Sequence, residues 1–226
     1  MKKTNIKIGL LTLILLASVT LSAQNMSIGV ALKGSTMGVG GDVVFQFHEK
    51  MTVRLGYDAF NRDFPLSFEE QDITYDANVN FKTGSLTALY DYYLLKYIFV
   101  SAGLGLNNFH VNAIGAAKDD LPYGDVTIPA EKIGNFEFDI EPSMRISPYL
   151  GLGFGRTLGK EKKLGFGFEL GAYYMGSPDI TIVSSGLIAP TSNPDQGQEA
   201  LFEKQLSQYN MYPVMKFSLS YKIYSF

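Results

Sequence analysis

The chain has 226 residues and no cysteine. That absence excludes a disulfide framework, a thiolate zinc site, a thiol nucleophile and a lipid-bearing N-terminal cysteine. There is no tryptophan, and there are only two histidines, too few for a histidine-rich metal centre. Charge is scarce: Asp, Glu, Lys and Arg make up 18%, against about 25% in ordinary soluble domains. The formal net charge is −3, which does not suit a nucleic-acid partner. Beyond the first twenty-odd residues no stretch is apolar for long enough to cross a membrane as a helix. What is abundant is glycine (23), phenylalanine (16) and tyrosine (14). Mean hydropathy is +0.05. A value near zero excludes a bundle of membrane helices but not a membrane barrel, whose alternating apolar and polar residues average out.

Residues 1–23 read as a secretory signal. Lys2, Lys3 and Lys7 precede an uncharged apolar run from Ile8 to Val19, and Ser22-Ala23 supplies the small residues of a cleavage site. The run is about 12 residues, short of the ~20 that a spanning helix needs. Cleavage after Ala23 removes three lysines and takes the net charge to −6. The remainder, 24–226, is long enough for one exported domain.

That remainder alternates. From Phe138 to Gly155 every even position is apolar (Phe138, Ile140, Pro142, Met144, Ile146, Pro148, Leu150, Leu152, Phe154), and no odd position is aliphatic. A period of two over that length excludes an amphipathic helix and describes a long strand with one greasy face. The pattern recurs to give eight strands, near 25–33, 36–48, 50–63, 73–94, 97–115, 136–157, 163–185 and 211–225. In the fourth, the apolar side changes near Gly84, where a bulge is expected. One helical stretch intervenes, near Gln198 to Tyr209, with Asp195 as its cap. With no helical crossovers the strands must be antiparallel. Links at 48–50, 95–96 and 159–162 are tight; those at 64–72, 116–135 and 186–210 are long, and Gly34-Ser35 is the exception on the long side. An all-β, eight-stranded, antiparallel up-and-down transmembrane barrel is the architecture this layout predicts.

Alternation by itself does not say which face points inward. A secreted lipocalin-like barrel would hold its apolar face inside. Strand length favours the membrane barrel, as do the glycine-rich small face and an aromatic group at the tight-turn rim: Phe45, Phe47, Tyr90, Tyr92, Tyr93, Tyr97, Phe99, Phe154, Tyr221, Tyr224 and Phe226.

The signal, the eight-strand meander and the phrase Pro148-Tyr149-Leu150-Gly151-Leu152-Gly153-Phe154-Gly155 resemble small Gram-negative outer-membrane barrels, the OmpA-barrel and OmpW-like families. The ending Leu219-Ser220-Tyr221-Lys222-Ile223 is similar to their terminal strand, although Tyr224-Ser225-Phe226 follows out of phase. The resemblance implies residence in the outer-membrane lipid, recognition by the barrel-assembly machinery, periplasmic termini and extracellular loops able to meet a ligand.

On this reading the lumen carries Lys33, Asp42, Arg54, Asp58, Lys82, Asp139, Glu141, Arg145, Glu169, Lys216 and Lys222, six basic and five acidic. Near balance is what an interior closed by ion pairs requires, whereas a selective pore tends to carry one dominant sign. The expected function is therefore non-enzymatic, structural or surface-interacting, with no cofactor or metal. A narrow channel for small solutes, hydrophobic ones included, is the alternative, and a lipid-modifying enzyme is a third reading. His48 and His110 have no Ser or acid at a recognisable catalytic spacing. Gly151-x-Gly-x-Gly155 lies inside a strand, so it is no nucleotide loop. Glu69, Glu70 and Asp72 lack the spacing of a calcium loop.

Overall fold

The computed structural model describes residues 26–70, 73–159, 162–192 and 198–226. The signal at 1–23 lies outside these, as do Asp72 and Asp195. Among the described residues there are thirteen strands: β1 (Ser27–Ser35), β2 (Gly38–His48), β3 (Met51–Glu70), β4 (Ile73–Tyr93), β5 (Ile98–Asn107), β6 (His110–Ala117), β7 (Leu121–Tyr123), β8 (Val126–Ile128), β9 (Asn135–Pro142), β10 (Ile146–Arg156), β11 (Leu164–Tyr174), β12 (Pro178–Ser184) and β13 (Met211–Ser225). Two short helices, α1 (Ala130–Ile133) and α2 (Gln198–Leu206), and a 3-10 segment (Gly186–Ser192) lie between them.

Every strand pairing is antiparallel. Eight strands form a ring in the order β1-β2-β3-β4-β5-β10-β11-β13, and β13 pairs back onto β1. Closure leaves these strands without a free edge. The long hairpin β3–β4 continues past the ring and carries a second, open sheet in the order β3-β4-β6-β9-β12. The small hairpin β7–β8 stands apart.

Three of the expected long strands are each divided in two. The interruptions fall at Asn108-Phe109, at Ser143–Arg145 and at Met175–Ser177. Conversely β3 runs to Glu70 rather than ending near 63, so most of the expected loop at 64–72 is paired strand. The bulge expected at Gly84 is not in the ladder: the β3–β4 register is unbroken from Met51↔Tyr92 to Glu70↔Ile73.

The reason is a change of surroundings, not of pleat. All along β4 the odd-numbered residues face the same side. Within the ring that side is polar (Ser85, Thr87, Asp91), and beyond it apolar (Ile73, Tyr75, Ala77). The apolar side is thus outside around the ring and inside above it. In β9 and β10 the sequence keeps its apolar residues even throughout, and the backbone makes the exchange instead. Across Ser143–Arg145 the exposed Ile146, Leu150 and Leu152 give way to Phe136, packed on Tyr75, and Phe138, packed on Phe202 of α2. Between β11 and β12 the same exchange passes through Gly176, whose φ of +72° favours glycine. The core of the upper sheet is Ile73, Tyr75 and Ile133, covered by Phe136 and Ile188.

Candidate functional site: the ionic interior of the ring

Each of the eight ring strands places at least one polar side chain in a single buried network, and β3 places two, Arg54 and Asp58. Lys33 (β1) lies 2.7 Å from Asp42 (β2) and 3.2 Å from Asp58 (β3). Arg54 (β3) is the hub. Its Nε donates to Asp91 Oδ2 (β4) at 2.7 Å, and its Nη2 donates to Asp91 Oδ1 at 2.8 Å, to Glu169 Oε2 (β11) at 2.7 Å and to Ser101 Oγ (β5) at 3.1 Å. Ser101 in turn donates to Asp91 at 2.6 Å. Tyr149 (β10) donates to Glu169 Oε1 at 2.6 Å. Lys216 (β13) lies 3.8 Å from Glu169 and 3.8 Å from the centroid of the Tyr149 ring, a cation–π contact.

Apolar layers close the network at both ends. Toward the long-loop side Met37, Tyr173, Met175 and Val214 pack together, backed by Phe109 and Tyr212. Toward the tight-turn side Thr157 and Leu158, just after β10, turn inward: Leu158 packs on Ala31 and Val44, and the Thr157 carbonyl accepts from Ser220 Oγ. Asp91 and Ser101 are 0% exposed, so no water-sized space touches them. The glycines of this face make room for the large residues. A Cβ at Gly105 would stand 2.6 Å from the Tyr173 ring, and one at Gly153 would overlap Phe99.

Of the eleven residues expected in the lumen, Lys33, Asp42, Arg54, Asp58, Glu169 and Lys216 are brought together here. The others are not. Lys222 sits at the tight-turn rim and donates to the Gly159 carbonyl at 2.8 Å. Lys82, Asp139, Glu141 and Arg145 lie above the ring, on the outer face of the open sheet or in its interruption. His110 contacts Asp139 at 2.8 Å, and Arg145 lies 3.7 Å from Glu141 with its side chain 76% exposed. The cause is the exchange of faces above the ring, which one continuous alternation conceals. Asp91, Ser101 and Tyr149 were missed, although Asp91 lies on the odd face of Leu86–Tyr93 and could have been found from it. Tyr93 and Phe99, expected in the rim aromatics, are instead 2% exposed and pack on each other inside. Outside, Phe47 meets Tyr90, and Tyr97 meets Phe154.

No family model matches the sequence, and no curated protein matches it. Among solved structures, CarO from Acinetobacter baumannii has a similar fold, with a TM-score of 0.56 and 20% identity over 87% of this chain and 98% of that one. CarO2 from the same organism gives 0.59 and 18% over 88% of this chain and all of that one. A major outer membrane protein from Thermus thermophilus aligns at 0.42, too loosely to speak for the fold. At these identities the likeness is one of fold.

Proposed function

We propose that this chain is a non-enzymatic outer-membrane β-barrel whose interior is closed, and which serves as a structural or surface-interaction protein. One observation carries the reading. Around the ring, the outward positions of all eight strands hold no charged side chain among the described residues. They run Ile28 to Gly34, Val39 to Phe47, Met51 to Tyr57, Leu86 to Tyr92, Ile98 to Leu106, Ile146 to Phe154, Leu164 to Tyr174 and Met211 to Ile223, every second residue. A soluble monomer rarely exposes one apolar patch beyond about 600 Å². A band encircling the whole ring suits lipid, with the polar residues turned inward.

The tight turns and both ends of the ring share one rim, where Ser27 pairs with Ser225. In the barrel reading this rim is periplasmic, and the open sheet with α2 stands outside the cell. The assembly machinery is then the partner during biogenesis, and the upper sheet is the surface any extracellular ligand would meet. The plugged interior speaks for the closed barrel over the narrow channel.

The purified chain, refolded in detergent, tests this. A heat-modifiable shift in gel mobility, dependence on detergent and the absence of unitary currents in planar bilayers are expected. A monodisperse monomer without detergent would overturn the membrane reading. Reproducible unitary currents would replace the closed barrel with a channel.

A further inference from the structure

Where β5 gives way to β6 and β9 to β10, the outer wall is notched. A cleft of about 430 Å³ opens there on the outside of the molecule. Its lower wall is Tyr57, Leu86 and Leu106, each at least half exposed and each on the apolar band. Its upper wall is polar and carries Lys82, Glu141 and Arg145 beside His110. Between Lys82 and Leu86 on the same parity of β4 lies the buried Gly84. Its φ of +155° and the Asp58 carbonyl, 2.5 Å from where a Cβ would be, keep it glycine. At about 3.3 Å per residue, Lys82 stands ~13 Å along the strand from Leu86.

His110 is held by Asp139 at 2.8 Å, and Glu141 faces Arg145 only loosely, at 3.7 Å. Lys82, paired across the ladder with His110 and exposed, carries no ion pair among the described residues. Two exposed cations, Lys82 without an ion pair among the described residues and Arg145 held only at 3.7 Å, therefore stand above an apolar floor that continues into the uncharged band.

We propose that this cleft binds a phosphorylated lipid of the surrounding leaflet. Lys82 and Arg145 take the phosphate, and the acyl chains run down over Leu86 and Leu106. The inference rests on the membrane reading above. A water-soluble anion could use the cations but would leave the floor empty. A lipid without phosphate could use the floor but not the cations. Charge-assisted contacts to phosphate are the stronger component and set the preference among lipids.

The test uses the full chain refolded in detergent, offered diphosphoryl lipid A, the same lipid with its phosphates removed, or phosphatidylcholine. Retention is read by native mass spectrometry. The wild type is expected to retain diphosphoryl lipid A, and Lys82→Ala with Arg145→Ala to lose at least ~10-fold in apparent affinity, the factor that about 1.4 kcal/mol represents. Lys82→Arg with Arg145→Lys keeps the charges and should keep the binding. Equal retention of all three lipids, an unaffected alanine variant, or displacement by inorganic phosphate at equal concentration would each overturn the proposal. Both positions are exposed, and heat-modifiable mobility measured on the same samples reports the barrel separately. A failed cleft is thereby distinguished from a failed membrane reading.

Discussion

Arg54→Met removes the hub of the interior while keeping most of its volume. Three contacts of 2.8 Å or less are lost, two to Asp91 and one to Glu169. The two carboxylates are not left in the same condition. Glu169 keeps the Tyr149 hydroxyl at 2.6 Å and Lys216 at 3.8 Å. Asp91 keeps only the hydroxyl of Ser101, with no surface exposed to water. Removing one member of a buried ion pair costs about 3–5 kcal/mol, because the partner stays behind uncompensated. That loss is expected here, and most of it arises at Asp91. Adding Asp91→Asn to Arg54→Met should therefore recover more stability than adding Glu169→Gln. Reversible urea unfolding of the protein in lipid vesicles measures it. Far-ultraviolet circular dichroism and gel mobility are the probes, since the chain has no tryptophan. An Arg54→Met variant within ~1 kcal/mol of wild type would contradict a buried, uncompensated Asp91, given the cost of breaking a buried pair. Equal rescue by the two second substitutions would contradict it as well.

Other consequences can be checked with the same refolded protein. Leu152→Arg places a charge on the outward band, where Leu152 is 56% exposed, and should destabilise by about 2–4 kcal/mol in vesicles; a neutral effect would count against lipid at that face. Gly153→Ala drives a methyl into the Phe99 ring and should cost about 1–3 kcal/mol, with Phe99→Leu restoring part of it, as unfolding of the single and double variants will show. On the upper sheet, Asp76 accepts from Ser67 Oγ at 2.6 Å and pairs with Lys118 at 3.1 Å, and the serine hydrogen bond first, then the lysine, hold its carboxyl below the usual value. Because the folded value is depressed, its contribution is present above the ordinary carboxylate range and lost as pH falls through the folded value; Ser67→Ala should raise the midpoint followed by carboxyl NMR.

Much of this was legible from residue order. That Val30 and Leu32, Val43, Leu55, Leu150 and Leu152 share one apolar face can be read directly, because a period of two maps sequence parity onto one face of a sheet. Six of the network's charged residues follow from the same parity. So does the crowding that demands glycine at 105 and 153.

Sequence alone therefore determined that this is an antiparallel all-β chain with one greasy and one polar face. Periodicity is a local property, and each strand carries it by itself. Only the tertiary structure decided where that rule stops. Whether Ser143–Arg145 continues a strand or exchanges its faces depends on what packs against each side, and Tyr75 and Phe202 come from far along the chain. Lys82, Asp139, Glu141 and Arg145 leave the interior for that reason. Arg54 reaches Glu169 as well as its hairpin neighbour Asp91 because ring closure brings β11 around to face β3, a long-range condition that no local pattern encodes.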